Sequence, residues 1–574
     1  QDLHQPDYSA YNRNMLVEAM KFSDTAVVFI SRKGSESYDI PLVQTKYNGK
    51  NITDDTRTYL QFTEEEEQMI ELVVDNFDKV IVVLNTGNPI EAGLLNDKGI
   101  DAVLQVGFPG QSGTLAIPRL LKGYKTIEKE DGTQEKVAVT PSGRLSDTYS
   151  YFTRKYNPTD ANMFAQPHFY TGHGQISYTE GIYVGYRWYE TAAAEGYFDD
   201  VSNEYGKGYD GVVQYPFGYG LSYGTDFDYE VKTSLPVGSE ITANTEITVT
   251  VKVTNSFNAT ATGKDVVQLY YTPPYYEGEI EKAEVNLLAF AKTAPLAPGL
   301  SQELTFNIKP YDLACYDDYG KNPGDHTGYE LDRGKYVISL RSDAHNVIDC
   351  ANSELEYNVS ETINIDIDPV TENTVENRFT GADAYMGMPI DGSTAGGDPI
   401  KYLSRANFEG TFPNNRTPDR SDSSAINQVN TALNDKYDTN VMPSTGQNNG
   451  HYLVVKEDGT KASLADLQGK TDAKLKYNDE LILALGKDYE EPRWEELLDQ
   501  LSVKEMTDVI ANGFFGTMAI ESVGKPQRLD IDGPAGFHYS GANDELRGKY
   551  VAFPSESLIG CSWNQQTAYN MGQA

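Results

Sequence analysis

The sequence has few cysteines and no long apolar run. Its three cysteines, Cys315, Cys350 and Cys561, are far apart in 574 residues. This spacing excludes a disulfide-rich framework and a zinc motif. A Cys315–Cys350 bridge stays open, although three buried free thiols are favoured. No window approaches the roughly 18 continuous apolar residues of a membrane-spanning helix, so none is predicted.

Positive charge is also scarce. The chain has 47 Lys and Arg against 85 Asp and Glu, a net charge of −38. This balance argues against nucleic acid and anionic membranes as partners and favours a neutral or cationic ligand. The seven His residues form no ligand cluster, so no catalytic metal and no cofactor are predicted. The sequence opens at Gln1 without a signal peptide, which indicates a removed start or a beginning inside a gene.

The length predicts three or four domains. Residues 1–225 alternate helical patterns with apolar runs at 26–31, 79–85 and 102–107, which predicts buried strands in a mostly parallel sheet. An acidic turn at Glu64–Glu67 suits the start of a helix over 62–77. A charged hairpin with an Asp131-Gly132 turn is expected within 122–140.

The pattern changes after residue 225. Strict alternation over Ile247–Thr254 and further short strand signals predict an antiparallel β-sandwich over 226–359. Residues 360–488 are rich in Asn, Asp, Ser, Thr and Gly and predict a long irregular connector. Helical spacing returns in 489–574, with a capping box at Ser502–Glu505.

Two carboxylates are candidates for function. Glu36 lies in the small-residue loop that follows the apolar run Ala26–Ile30, and ligands bind beyond the carboxyl ends of strands in open α/β sheets. Asp532 heads the turn Asp532–Gly536. Considered alone, Glu36 is more often a solvated loop acid and Asp532 a turn-capping residue.

The motifs in combination resemble those of glycoside hydrolase family 3. The similar segments, in chain order, are 27–39, 82–90, 108–113, 141–145, 178–189, 215–223, 263–270, 501–505, 532–536 and 553–554. Residues 178–189 (YTEGIYVGYRWY) and 215–223 (YPFGYGLSY) are the most specific.

This resemblance implies a multidomain α/β plus β protein with four parts. Residues 1–225 are similar to the family's α/β-sandwich domain without its opening strands, and 226–359 to its fibronectin-III-like domain. Residues 360–488 would be the connector, and 489–574 would begin the catalytic (β/α)8 barrel. In most members the barrel comes first, so the order here is that of the domain-reversed members.

The resemblance also implies roles for particular residues. Retaining glycosidases use a nucleophile and an acid/base; the acid/base maps to Glu36, within Ser-Glu-Ser where the family usually has Gly-Glu-Gly. Asp532 would bind sugar hydroxyls in the −1 subsite. Tyr38 and Asp39 are candidates for loop support or sugar contact. Tyr38 and Trp188 could stack on a sugar, although a core or surface position is favoured for both.

The family's nucleophile lies in a Ser-Asp-Trp-type motif, and the chain has no such motif. The predicted function is therefore a retaining exo-β-glucosidase acting on a β-glucoside or oligosaccharide, with the nucleophile and the remainder of the barrel outside this chain. The alternatives are a β-xylosidase or another exo-glycosidase of the family, and a non-catalytic carbohydrate-binding or scaffold fragment. A homo-oligomer stays open, as does the compartment, cytoplasmic or secreted or cell-surface bacterial.

Overall fold

A computed structural model describes most of the chain. The described residues are 10–32, 43–47, 51–96, 98–129, 131–156, 180–317, 320–375, 402–411, 458, 488, 490–513, 516–529, 535–536 and 551–573. The chain divides into two compact units, one formed by residues 1–429 with 553–574 and the other by 430–552. Among the described helices, none has the length and apolarity needed to cross a membrane.

The α/β part of the first unit is organised around a parallel sheet. Its three strands have the order β1–β4–β5, which confirms the predicted parallel pairing. In chain order the elements are α1 Arg13–Phe22, β1 Thr25–Ser31, β2 Val43–Tyr47, β3 Asn51–Thr58, α2 Glu64–Asn76, β4 Lys79–Asn85, β5 Ala102–Gln105, α3 Gly110–Gly113, α4 Ile117–Lys122, β6 Tyr124–Glu128, β7 Gln134–Ala138, β8 Tyr149–Ser150, α5 Thr153–Tyr156, α6 Tyr186–Ala194 and β9 Val213–Tyr215.

Strand β4 is the centre of this sheet. Val80, Val82 and Val83 are fully buried, because side chains from both faces of the strand contact apolar neighbours. Ile70 of α2 packs on one face, and Ile117 of α4 lies in the cluster on the other. Helix α2 begins at the Thr63 capping box with the predicted acidic first turn.

Strand β1 differs from its prediction. The apolar run was expected to be buried, but only Val28 and Ile30 are, whereas Val27 and Phe29 are 42% and 52% exposed. The cause is position: among the described strands β1 lies at the edge of the sheet, and successive side chains of a strand point to opposite faces. The predicted hairpin is confirmed as β6–β7, and Gly132 takes a positive φ in its turn.

The second part of the first unit is an antiparallel β-sandwich. A three-stranded sheet β10–β11–β14 and a four-stranded sheet β13–β12–β17–β18 share one apolar core, and a small sheet β15–β16–β19 adjoins them. The strands are β10 Phe227–Thr233, β11 Ile247–Asn255, β12 Val266–Thr272, β13 Asn286–Lys292, β14 Ser301–Ile308, β15 Cys315–Asp317, β16 Gly328–Leu331, β17 Gly334–Arg341, β18 Glu354–Val359 and β19 Ile363–Ile365. The alternation predicted for β11 is observed, with Val249, Val251 and Val253 fully buried.

Two described segments of the span 360–488 pack on this unit. Strand β19 pairs with β16, so the small sheet extends past residue 359. Residues 402–411 include α7 (Phe408–Thr411), and Phe408 packs edge-on against Trp188. Trp188 has no exposed surface and is a core residue, which is one of the two positions that the sequence analysis favoured over sugar contact.

The remaining helices are divided between the two units. The second unit contains α8 Arg493–Leu498, α9 Val503–Asn512, β20 Gly516–Thr517 and β21 Arg528–Leu529. Ser502 and Glu505 form the predicted capping box of α9. Residues 553–573, which belong to the first unit, carry α10 Glu556–Cys561 and α11 Gln565–Gln573.

The three cysteines are free thiols. The Cys315–Cys350 bridge that the sequence left open is therefore absent. The expectation that the thiols are buried is wrong, since all three are partly exposed.

Candidate functional site

The candidate residues from the sequence lie outside the described part of the chain. Glu36, Tyr38 and Asp39 fall within 33–42, and Asp532 falls within 530–534. What the structure describes is the sheet edge at which the segment with Glu36 begins, and the residues that hold both ends of that segment.

Strands β1, β4 and β5 end at the same edge of the sheet. Ser31 is paired with Asn85, and Leu84 with Gln105. Arg32 N donates to Asn85 O over 3.4 Å, so the chain leaves β1 directly beside the end of β4. Because the carboxyl edge of a parallel sheet is where open α/β proteins bind ligands, this edge is the candidate site.

Arg32 holds the first end of segment 33–42. Its side chain forms two hydrogen bonds of 2.7 Å with the Glu66 carboxylate, and also donates to Tyr59 O (3.0 Å) and Gln61 O (2.8 Å). The Arg32 and Glu66 side chains are only 4% and 9% exposed. A two-pronged guanidinium–carboxylate pair is strong and fixes orientation, so Arg32 itself is held in one position at the end of β1.

Gln44 holds the other end of the segment. Its Nε2 lies within hydrogen-bond distance of Thr58 O (2.9 Å), Gln61 O (2.9 Å) and Phe62 O (3.2 Å), and Gln44 is buried. Gln61 O therefore accepts from both Arg32 and Gln44. We call Arg32, Gln44, Gln61 and Glu66 the edge anchor, because together they hold the described residues on either side of segment 33–42.

A cleft lies beside this edge. It has a volume of about 250 Å³ and opens to solvent. Polar groups from the ends of β4 and β5 line it together with the segment 145–149 and helix α10. The lining residues are Thr86, Gly87, Asn88, Pro89, Gln105, Gly107, Leu145, Ser146, Asp147, Tyr149, Ser557, Leu558 and Cys561.

Asp147 is the one carboxylate among the residues that line this cleft. Its side chain is reachable by solvent, but protein on either side partly desolvates it and raises the pKa of its carboxyl. A hydrogen bond of 2.9 Å from its neighbour Thr148 N offsets part of that rise. Hydroxyls, amides and one carboxyl around a cleft of this size suit a polyhydroxylated ligand.

The sequence analysis did not single out Asp147 as a site residue. The available signal was its position two residues after the Pro141–Leu145 motif, one of the segments that resemble the family.

Residues 553–573 form the far side of the cleft. Ser555 N donates to Phe108 O, and Arg144 N donates to Cys561 O, each over 2.9 Å. Trp563 Nε1 donates to Arg144 O over 3.1 Å. Lys292 Nζ bridges Ser142 O (2.7 Å) and Ser562 O (2.6 Å), so the Pro141–Leu145 motif is bound to the sandwich and to the end of the chain.

No metal centre is found at this edge or elsewhere in the described ranges, where no group of three or more His, Cys, Asp or Glu could hold an ion. Most of the residues that line the cleft carry hydrogen-bonding groups. Such groups can orient hydroxyls and transfer protons.

Comparisons with protein families identify two parts of the first unit. Residues 10–186 match the glycosyl hydrolase family 3 C-terminal domain, and residues 265–344 match the fibronectin type III-like domain. These matches confirm the family resemblance and two of the predicted domain types.

Similar curated proteins are β-glucosidases. β-Glucosidase A of Butyrivibrio fibrisolvens is 26% identical over 98% of this chain and 60% of its own length. The β-glucosidase of Ruminococcus albus is 30% identical over 68% of this chain and 34% of its own length. The chain thus spans between a third and three fifths of these relatives.

Solved structures of β-glucosidases also align with the chain. The enzyme from Paenibacillus barengoltzii is 30% identical, with a TM-score of 0.46, over 62% of this chain and 32% of its own. β-Glucosidase 3B from Thermotoga neapolitana, in complex with glucose, is 25% identical, with a TM-score of 0.44, over 63% of this chain and 41% of its own.

Proposed function

This chain belongs to glycoside hydrolase family 3, and from that premise we propose that its protein is a retaining exo-β-glucosidase. It would hydrolyse terminal non-reducing β-D-glucosyl residues. The observation that supports this most is the edge anchor beside a polar cleft, since it holds the described residues on either side of the segment that carries Glu36. The β-glucosidase names of the relatives favour glucose over xylose.

In this proposal Glu36 is the acid/base. It first protonates the oxygen of the leaving group and then removes a proton from the water that hydrolyses the glycosyl-enzyme. Asp532 accepts hydrogen bonds from sugar hydroxyls in the −1 subsite at charge-assisted strength. Tyr38 and Asp39 support the segment or contact the sugar.

The nucleophile is proposed to come from a barrel residue outside this chain, because no Ser-Asp-Trp motif occurs within it. The segment 489–574 would contribute the beginning of that barrel, in the domain-reversed order. The alignment with the Butyrivibrio protein over 98% of the chain supports a shared order. This chain alone is then expected to release no aryl aglycone, whereas the full-length protein is expected to turn over.

The test is Glu36→Gln in the full-length protein. An aryl glucoside with a good leaving group needs little acid assistance, so its first glycosylation step should stay close to wild type and appear as a burst of aryl product. An alkyl glucoside needs the proton and should be slowed about 10²- to 10⁴-fold. Rapid-quench and steady-state rates on the two substrates measure the difference.

Glu71→Gln is the matched control, because it makes the same chemical change at an exposed position of α2 and should leave both substrates unaffected. Equal losses on the aryl and alkyl glucosides in Glu36→Gln would remove Glu36 from the acid/base role. Faster turnover of an aryl xyloside than of the aryl glucoside would contradict the proposed β-glucosidase and favour a β-xylosidase.

A further inference from the structure

A lysine and an aspartate meet inside the β-sandwich, away from the cleft. Lys282 precedes β13, and Asp332 lies between β16 and β17. Lys282 Nζ contacts Asp332 Oδ2, and each side chain is only 1% exposed. Charged pairs this deeply buried are costly, because both ions lose their hydration.

The environment of Lys282 suits an uncharged nitrogen. An ammonium carries three protons to donate, yet Nζ has no hydrogen-bond partner among the described residues besides its contact with Asp332. Burial lowers the pKa of the Lys282 amine, which favours the neutral form. A neutral, desolvated lysine amine is a nucleophile.

The environment of Asp332 suits nucleophilic attack on its carboxyl carbon. Asn322 Nδ2 donates to Asp332 Oδ1 over 2.9 Å, where negative charge would develop if the carboxyl carbon became tetrahedral. The same nitrogen donates to Glu330 Oε2 over 2.9 Å, so a second carboxyl group lies beside the pair. Asn322 is itself held by Ile280 N and by Asp317, which accepts from its backbone N–H.

We propose that Lys282 and Asp332 are joined by an isopeptide bond that forms within the folded sandwich. Lys282 Nζ attacks Asp332 Cγ, the Nζ–Cγ bond forms, and the Cγ–Oδ2 bond breaks. Glu330 takes a proton from the nitrogen and returns it to the departing oxygen, which leaves as water. The amine and carboxylic acid become an amide and one water molecule, with no change in oxidation state.

Burial supplies the driving force for this condensation. In water an amide of this kind is disfavoured by hydrolysis, but the site is nearly closed to solvent, and the neutral amide that forms cannot return to a buried ammonium–carboxylate pair, which would be unfavourable. The remaining amide N–H and C=O need fewer partners than the ions, and Asn322 already donates to the carbonyl oxygen.

The bond would close a loop of 50 residues, counted as 332 minus 282. It would join the strand pair β12–β13 to the small sheet that contains β16. A covalent link of this kind stabilises chiefly by restricting the unfolded chain. The link would therefore resist unfolding while leaving the cleft unaltered.

Mass spectrometry of the protein as purified is the test. The intact mass is expected to be lower than that of the sequence by one water. After denaturation and trypsin digestion, cleavage at Lys282 should be absent, and residues 265–292 should be joined to residues 322–333. Lys282→Arg should restore the full mass and release both peptides.

The sandwich contains an internal control. Lys252 and Glu230 also form an ion pair, but it lies at the surface, and their peptides should be separate in the same digest. Complete cleavage after Lys282, together with an unlinked 322–333 peptide and the full intact mass, would overturn the proposal. Amine labelling of Lys282 in denaturant would overturn it as well.

Discussion

The carboxyl edge of the parallel sheet and the core of the β-sandwich are stabilised differently. At the edge, buried polar side chains hold the backbone: Arg32 pairs with Glu66, and Glu91 accepts from Thr153 N and Oγ1 over 2.9 and 2.8 Å. In the sandwich core, alternating valines of β11 are buried without polar atoms. Apolar burial is non-directional, whereas hydrogen bonds require a particular geometry. The hydrogen bonds at the edge therefore specify where its backbone lies more narrowly than apolar burial does in the sandwich core.

The largest effect should come from Arg32→Leu. This change leaves the Glu66 carboxylate buried without its partner and should destabilise the first unit by about 3–5 kcal/mol. Because the edge anchor holds the residues on either side of the segment with Glu36, folded molecules should also lose activity on alkyl glucosides. Urea unfolding and the alkyl-glucoside rate per folded molecule measure the two effects.

Leu269→Ala in the sandwich core is the matched comparison. Leu269 is 1% exposed, and its truncation should cost about 2–5 kcal/mol through the cavity it leaves. Its folded molecules should keep wild-type activity, since no edge contact is lost. Equal activity per folded molecule in the two variants would contradict the distinction between the regions.

A smaller effect is expected from Gly107→Ala in the cleft. Gly107 has a φ of +50°, and an added Cβ would lie 3.2 Å from Leu558 Cβ, so the change combines backbone strain of about 1–2 kcal/mol with crowding of α10. Gly132→Ala is the control: its φ is +80° with nothing within 4 Å. Thermal unfolding should show a larger loss for Gly107→Ala; equal losses would mean that the contact with α10 is unimportant.

The smallest effect concerns pH at a contact between the α/β part and the β-sandwich. His345 of the sandwich lies 2.8 Å from Glu190 of α6 and stacks on Tyr209. Burial lowers the pKa of His345, but the hydrogen bond and charge of Glu190, with the charge of Asp343, outweigh burial and Arg341, so that the pKa is raised. A histidine whose pKa is higher in the folded state than in the unfolded chain stabilises the folded state. This contribution is fully present at pH values below the unfolded pKa, about 6.5.

That contribution is lost as pH rises through the folded pKa. Thermal unfolding between pH 5 and 9 should therefore show a modest fall on the alkaline side, and His345→Gln should flatten it. The side chain is 36% exposed, so solvent reduces the effect. A profile unchanged by His345→Gln would show that the contact does not depend on this charge.

The sequence predicted helices and strands well where a single local pattern determines them. Strand β4 has its predicted bounds, α9 begins at its predicted capping box, and the predicted acidic turn lies at the start of α2. These features depend on residues that are close together along the chain, so they can be recognised in a single sequence. The half exposure of β1 was missed because an apolar run reports composition and not whether both faces of a strand are covered.

The candidate site was predictable only in part. The loop after β1 could be located from the strand pattern, and its residues lie outside the described chain. The edge anchor could not be predicted, because Arg32 and Glu66 are 34 residues apart, and nothing in either neighbourhood indicates their pairing. Asp147 and Cys561 come from even more distant parts of the chain, and only the fold brings them to one cleft.

The hydrogen bond from Trp563 to Arg144 has a consequence for how the protein is made. The two residues are 419 positions apart, and ribosomes add about 5–20 residues per second. The Pro141–Leu145 motif therefore waits on the order of 20 to 80 s during synthesis before its partner emerges. Throughout that interval the face of the motif that Trp563 contacts lacks this partner in the nascent chain, and chaperones could bind there.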